Sequence, residues 1–338
     1  MDSLSQLVLG AAVGVAVMGR RTAVWKAALW GGVAGTLPDL DVLIDHGDPI
    51  RNMVLHRGES HALFWQTLFS LPFAAAVARL HGEWGQWRRW WLALWLALVT
   101  HPLLDAMTVY GTQLALPFSN HPFAVGSVAI IDPLYTLPLL FGAGWALASR
   151  GSRLGLRANV AGLVLSTAYL GWGFAAQQQV ERIARASLAS QGIAAERVLV
   201  MPTVFNSLLW RVLALDDDDT TYREGFYSLF DAEPQVQLDA FDRGAALAAE
   251  LQGIDGVQRM AAFSKGFFKL QDDGGRLLLS DLRMGQEPAY LFTFAVAERR
   301  SAPIALDKPE QVGRRPDIER GLPWLWRRMW GEPLPPPR

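Results

Sequence analysis

"HRGESHALFWQTLFSLPFAAAVARL", residues 56–80, decides how this chain is read. Two histidines, an arginine and a glutamate fall within its first six positions, and an uncharged, mostly apolar run follows as far as Arg79. A helix needs about 20 mostly apolar residues, with a lower limit of about 17, to cross a bilayer. The stretch 60–80 meets that length, so ionisable groups stand at the mouth of a candidate span. Such groups near membrane depth are costly unless paired, hydrated or bound to a cation.

Five further stretches come close to span length: 3–19, 22–38, 89–107, 133–149 and 158–176. The first looks like a signal-peptide core, but Arg20 and Arg21 follow it instead of preceding it, so it is read as a retained helix. The expectation is a mainly α fold: a polytopic membrane bundle of about six helices over 1–176, followed by a small α+β extramembrane domain over 177–338. Composition agrees, with 51% hydrophobic residues and 14 tryptophans among 338, and a mean hydropathy of +0.16. A net charge of −1 gives no global basic field for nucleic acid. There is no cysteine, so a metal must use His, Asp, Glu or water.

Basic residues collect in alternate loops: Arg20, Arg21 and Lys26, then Arg79, Arg88 and Arg89, then Arg150, Arg153 and Arg157. By the positive-inside rule these loops are expected in the cytoplasm. The N-terminus and the domain after 176 are then expected outside, in the periplasm of a bacterium. All six histidines lie in the first half. His81 falls in a basic loop and reads as ordinary surface, and His46 and His121 read as exposed loop residues.

The same topology gathers the remaining polar residues at one face. The second span ends in "GTLPDLDVLID", the third follows "HRGESH", the fourth ends in "VTHPLLDAM", and the fifth follows "AIID". Asp39, Asp41, His56, Glu59, His61, His101, Asp105 and Asp132 are therefore expected in one pocket. His101 and Asp105, four apart, share a helix face. Pro38 should end the second helix. Asp39 and Asp41, two apart, would point the same way in an extended segment. Three histidines with several carboxylates suit zinc, or manganese, better than calcium.

"LPDLD" (37–41), "HRGESH" (56–61), "THPLLDAMTVYGTQLALPFS" (100–119) and "IDPLYTLP" (131–138) together resemble the membrane-bound, metal-dependent hydrolases of the YdjM type, over residues 1 to about 180. The family's HRG-x-[ST]-H pattern is met by His56, Arg57, Gly58, Ser60 and His61. The resemblance implies an inner-membrane hydrolase, and a more distant likeness to zinc-dependent phospholipases C. That likeness implies a first shell of Asp41, His56, His101 and Asp105, with Asp39 and His61 serving a second ion or supporting the first. With no histidine after position 121, a three-zinc cluster is not implied.

A metal-activated water could act on a phosphoester or lipid-type substrate at the membrane surface, with Glu59 or Asp132 as base. Arg57 could bind a phosphate bidentately or pair with a nearby Asp. Membrane lipid is the expected partner. A cation or proton carrier and a metal-stabilised scaffold are the alternative classes. In the second half, 197–205, 208–215 and 222–230 read as strands, "DDDDTTY" as a solvated turn, and "RGLPWLWRRMW" (320–330) as a helix for a bilayer interface or for the protein's own core.

Overall fold

A computed structural model describes residues 1–314 and 317–338. The chain divides into two compact units. The first comprises 1–44, 56–175 and 204–206, and the second 45–55, 176–203 and 207–338.

The first unit is helical. It contains α1 (Ser3–Met18), α2 (Val24–Thr36), α4 (Leu63–Leu80), α5 (Trp87–Ala106), α6 (Pro133–Ala148) and the beginning of α7 (Arg153–Ser190), while α3 (Pro49–Leu55) belongs to the second unit. Small residues set a very close crossing of α1 and α2. A Cβ added at Gly10 of α1 would lie 2.2 Å from the Gly31 carbonyl oxygen, and one at Gly35 would lie 2.5 Å from that of Gln6. Only bare backbone allows α1 and α2 to approach so closely. α2 stops at Thr36 because Pro38 has no N–H to continue its ladder. The next residues, Leu37–Leu43, tighten into a 3₁₀ turn. The HRGESH segment also carries a short 3₁₀ turn, Glu59–His61, immediately before α4. Trp90, Leu94 and Leu98 of α5, with Ala12 and Val15 of α1 and Leu139 of α6, fill the core between the helices.

The expectation of six spans does not hold. Among the described residues, α4 alone combines the length and apolar composition needed to cross a membrane. α1 and α6 are apolar but only 16 residues long, and α2 has 13. α5 has 20 residues, but four tryptophans, two arginines, His101 and Asp105 lower its hydropathy. Much of the oily sequence serves helix-on-helix burial instead: α1 buries Val8, Leu9, Val13 and Val15. With one candidate span among the described residues, the alternating inside and outside assignment of loops is left unsupported.

The second unit is built on antiparallel sheets. β1 (Arg197–Pro202), β2 (Leu209–Leu215), β3 (Thr221–Ser228) and β4 (Leu238–Asp242) form a meander in sequential order. β5 (Phe268–Asp273), β6 (Arg276–Asp281), β9 (Thr293–Arg299) and β10 (Pro303–Gln311) form a second sheet in the order β10-β9-β6-β5, and β7 (Gly285–Gln286) pairs with β8 (Ala289–Tyr290). Val180 and Ala184 of α7 pack with Trp210 and Val212 of β2. α8 (Ala245–Leu251) and α9 (Asp255–Phe263) separate the sheets along the chain. The acidic turn between β2 and β3 is satisfied from within: Asp216 pairs with Arg223, and Asp219 with Arg197 and Arg243. In α10 (Ile318–Met329), Trp324 is buried edge-on against Phe226. Trp326 and Trp330 remain 62% and 50% exposed.

The glycine crossing is directly testable. Gly10→Ala should destabilise the protein by about 1–3 kcal/mol through overpacking. Gly85→Ala, where no atom lies within 4 Å of the new Cβ, should stay within about 0.5 kcal/mol of the parent. Thermal melts of the two variants check this, and equal melting temperatures would contradict it.

Candidate metal centre

Four side chains from three segments converge in the first unit: Asp39 of the 3₁₀ turn after α2, His61 of the turn before α4, and His101 and Asp105 of α5. One potential ligand atom from each lies within 4.8 Å of the other three. His61 Nε2 and His101 Nε2 are 3.0 Å apart. Asp39 Oδ1 stands 3.5 Å from the first and 3.4 Å from the second. Asp105 Oδ2 stands 3.4 Å from both. A tetrahedron with ligand bonds of about 2.0 Å, as zinc makes with nitrogen and oxygen, has edges of about 3.3 Å. The donor distances above, 3.0–3.5 Å, match that spacing closely.

Hydrogen bonding fixes which atoms face inward. His101 Nδ1 is 2.6 Å from the Gly35 carbonyl oxygen, which can only accept, so Nδ1 carries the proton and Nε2 presents a lone pair. Ser60 Oγ donates to Asp41 Oδ2 at 2.6 Å, so its oxygen accepts from His61 Nδ1 at 2.8 Å. His61 Nε2 is thereby also turned into the cluster. Two imidazole lone pairs and two carboxylate oxygens then face one another, an arrangement a cation or a proton must neutralise. Asp105 Oδ2 is buried and accepts no well-directed hydrogen bond, although Arg57 Nε stands 3.2 Å away. His61, His101 and Asp105 have no exposed side-chain surface, whereas Asp39 is 20% exposed. The residues present fit a divalent ion.

Asp41 and His56 stand outside these four. Asp41 Oδ1 meets His56 Nδ1 at 2.7 Å, and its Oδ2 accepts from the Arg57 backbone and Ser60. The 3₁₀ turn explains the parting of Asp39 and Asp41. The extended segment that would align them does not form, and at about three residues per turn positions two apart diverge. The set drawn from the phospholipase likeness, Asp41, His56, His101 and Asp105, thus contributes its last two members to the cluster.

Arg57 has φ 67°, a left-handed conformation that is uncommon outside glycine. Its surroundings hold it there. The guanidinium donates to Thr108 at 3.2 Å, pairs with Asp105 and lies 4.7 Å from the Tyr110 ring centroid. Of its two expected roles, the structure displays the pairing with Asp. Glu59 is exposed in the turn beside Ser60. Asp132 caps α6 through the Leu134 backbone and accepts from the Tyr169 hydroxyl at 2.9 Å. His121 is exposed, and the His46 backbone donates to Asn52. His81 is not ordinary surface: it accepts from Trp30 Nε1 at 2.7 Å and stacks on Trp90.

Sequence reading missed Gln6 and the Gly35 carbonyl. Gln6 Nε2 donates to Asp105 Oδ1 at 3.0 Å and to the His101 carbonyl at 3.1 Å. A lone Gln in the oily stretch of α1 was the available signal. The Met1 amine also meets Asp105 Oδ1.

Burial alone would raise the pKa of Asp39, but the adjoining His101 and His61 imidazoles outweigh it and hold the carboxyl well below the usual range. Asp41 is held low in the same way by His56, His61 and Ser60. Burial alone would lower the pKa of His61, yet Asp105, Asp39 and Asp41 together raise it from 6.5 to about 9.

Residues 1–180 match the sequence profile of the family described as "YdjM inner membrane protein". A relative from Bacillus subtilis (strain 168), "Uncharacterized protein YfhP", is 32% identical over 146 residues, covering 39% of this chain and 42% of that protein. The chain thus spans less than half of that relative's length. No solved structure matches at a significant level, and the phospholipase C likeness finds no support in these comparisons.

Because the folded pKa of His61 is raised, its pairing stabilises the metal-free protein below about pH 6.5 and is lost as pH climbs toward about 9. Zinc must displace that proton, so its apparent affinity should rise about ten-fold per pH unit across the same window. Melts of chelator-treated protein should fall, and calorimetric zinc affinities should rise, from pH 6.5 to 9. A pH-independent affinity would contradict the assignment.

Proposed function

The chain belongs to the YdjM inner membrane protein family, and from that premise we propose that it is a divalent-metal-dependent hydrolase acting on a phosphoester or lipid-type substrate at the membrane surface. The observation that carries this reading is the convergence of Asp39, His61, His101 and Asp105 at tetrahedral spacing. Two imidazoles and two carboxylates suit zinc, with manganese as the second choice. Such an ion supplies Lewis acidity, lowering the pKa of a water and polarising a phosphoryl or acyl oxygen.

The chain's own groups divide the remaining work. Gly35 and Ser60 hold the two imidazoles in the tautomers that face inward. Gln6 and Arg57 orient the Asp105 carboxylate. Asp39 is the donor with solvent access, so substrate approaches from its side. His56, 24% exposed and gripped by Asp41, lies beside His61 with ring centroids 5.8 Å apart. It is the group placed to hold or deliver a proton there, with exposed Glu59 in the same segment as the alternative base. Asp132 is occupied by its cap and by Tyr169.

One observation favours a second reading, a metal-stabilised scaffold: three of the four donors are fully buried, and four protein ligands are typical of closed structural zinc sites. Detergent-purified protein separates the two. With zinc restored, wild type should cleave an activated phosphodiester or a phospholipid. His101→Ala should lose both zinc and turnover. His56→Ala should keep zinc and lose about 100-fold in kcat. Stoichiometric zinc with no cleavage across a broad ester panel, and a large drop in melting temperature in His101→Ala, would establish the scaffold instead.

A further inference from the structure

Away from the metal centre, three connections of the first unit come together. Glu83, between α4 and α5, accepts from Thr22 and Lys26, beyond α1, at 2.8 Å each. Arg20 and Arg150 line one cleft together with Thr22 and Gly151, which brings in the α6–α7 turn. These connections and the adjoining helix ends carry eight exposed arginines. Arg20 and Arg21 follow α1. Arg79 closes α4, and Arg88 and Arg89 open α5. Arg150 precedes α7, and Arg153 and Arg157 lie in its first turns.

Among the described residues none of these eight forms an ion pair with a carboxylate, and Glu83 is taken by Lys26. Most other described arginines find an acidic partner, among them Arg211 with Glu224, Arg243 with Asp219, Arg283 with Asp281, Arg299 with Asp272 and Arg328 with Asp231. Helix stability does not explain the clustering. Arg88, Arg89, Arg153 and Arg157 stand in N-terminal turns, where the backbone dipole already disfavours positive charge, and neither α5 nor α7 has an acid in its first turn. A bound anion would relieve both the uncompensated arginines and those helix ends.

The same region is aromatic. Arg79 lies over Trp84, Arg88 lies over Trp87, and the two indoles stack. Trp84, Trp87, Arg88 and Arg89 line a cleft of about 480 Å³. Trp25, Leu80 and Trp84 are 53%, 69% and 48% exposed. We propose that this end of the first unit is a docking surface for the phosphate headgroups of anionic phospholipids. The arginines meet phosphate, and the exposed tryptophans sit at headgroup level. A lipid fits better than another polyanion because the patch continues directly from α4, the one candidate span among the described residues.

Full-length protein in neutral detergent, titrated with dioleoyl-phosphatidylglycerol or dioleoyl-phosphatidylcholine and read by lipid-dependent thermal shift, tests this. Wild type should prefer phosphatidylglycerol by at least about ten-fold, since each arginine near an anionic surface is worth about five-fold. Arg20→Gln/Arg88→Gln/Arg89→Gln/Arg150→Gln should abolish the preference while melting like wild type without lipid. If that variant folds poorly, wild type in about 0.5 M salt serves instead, where screening should erase the preference. Equal response to the two lipids, or a preference that survives high salt, overturns the proposal. Binding of a short DNA duplex as tightly as phosphatidylglycerol overturns it in favour of a nucleic-acid surface.

Discussion

Two imidazoles whose Nδ1 protons are already committed must turn their Nε2 lone pairs inward, and here they face each other and two carboxylate oxygens. That convergence of electron-rich atoms is the constraint on which the first unit depends. Without a cation it survives by keeping a proton on His61. With one, each donor has its partner at the spacing the fold already provides.

The packing explains how that spacing is held. Gly35 serves twice: its missing side chain lets α2 approach α1, and its carbonyl fixes the His101 tautomer. Gln6 on α1 reaches Asp105 across the same crossing. The strained backbone of Arg57 aims its N–H at Asp41 while the guanidinium pairs with Asp105. A methyl group added at the α1–α2 contact would therefore move groups beyond it, which ties the site to that bare-backbone crossing.

Much of the site was legible from spacing and local motif. His101 and Asp105 share a helix face because four residues make about one turn. The HRGESH and LPDLD segments meet because both flank helices of one unit. The choice between Asp39 and Asp41 was not legible, since it turns on a 3₁₀ rather than an extended backbone after Pro38. The Gly35 carbonyl carries no side-chain signature. The span count failed for a related reason: apolar composition reports burial without saying whether a neighbouring helix or lipid covers the surface. α1 and α2 use their small residues against each other, and the tryptophans of α5 pack on the helices or hydrogen-bond to Glu83, Ser70 and Thr67. In the second unit, the first three strands were legible, because antiparallel hairpins are local.

X-ray absorption at the zinc edge of metal-loaded protein reads the four-donor cluster itself. A nitrogen and oxygen shell at about 2.0 Å containing two imidazoles is expected, falling to one imidazole in His61→Ala. A shell with no imidazole, or one that keeps both in His61→Ala, would contradict that cluster.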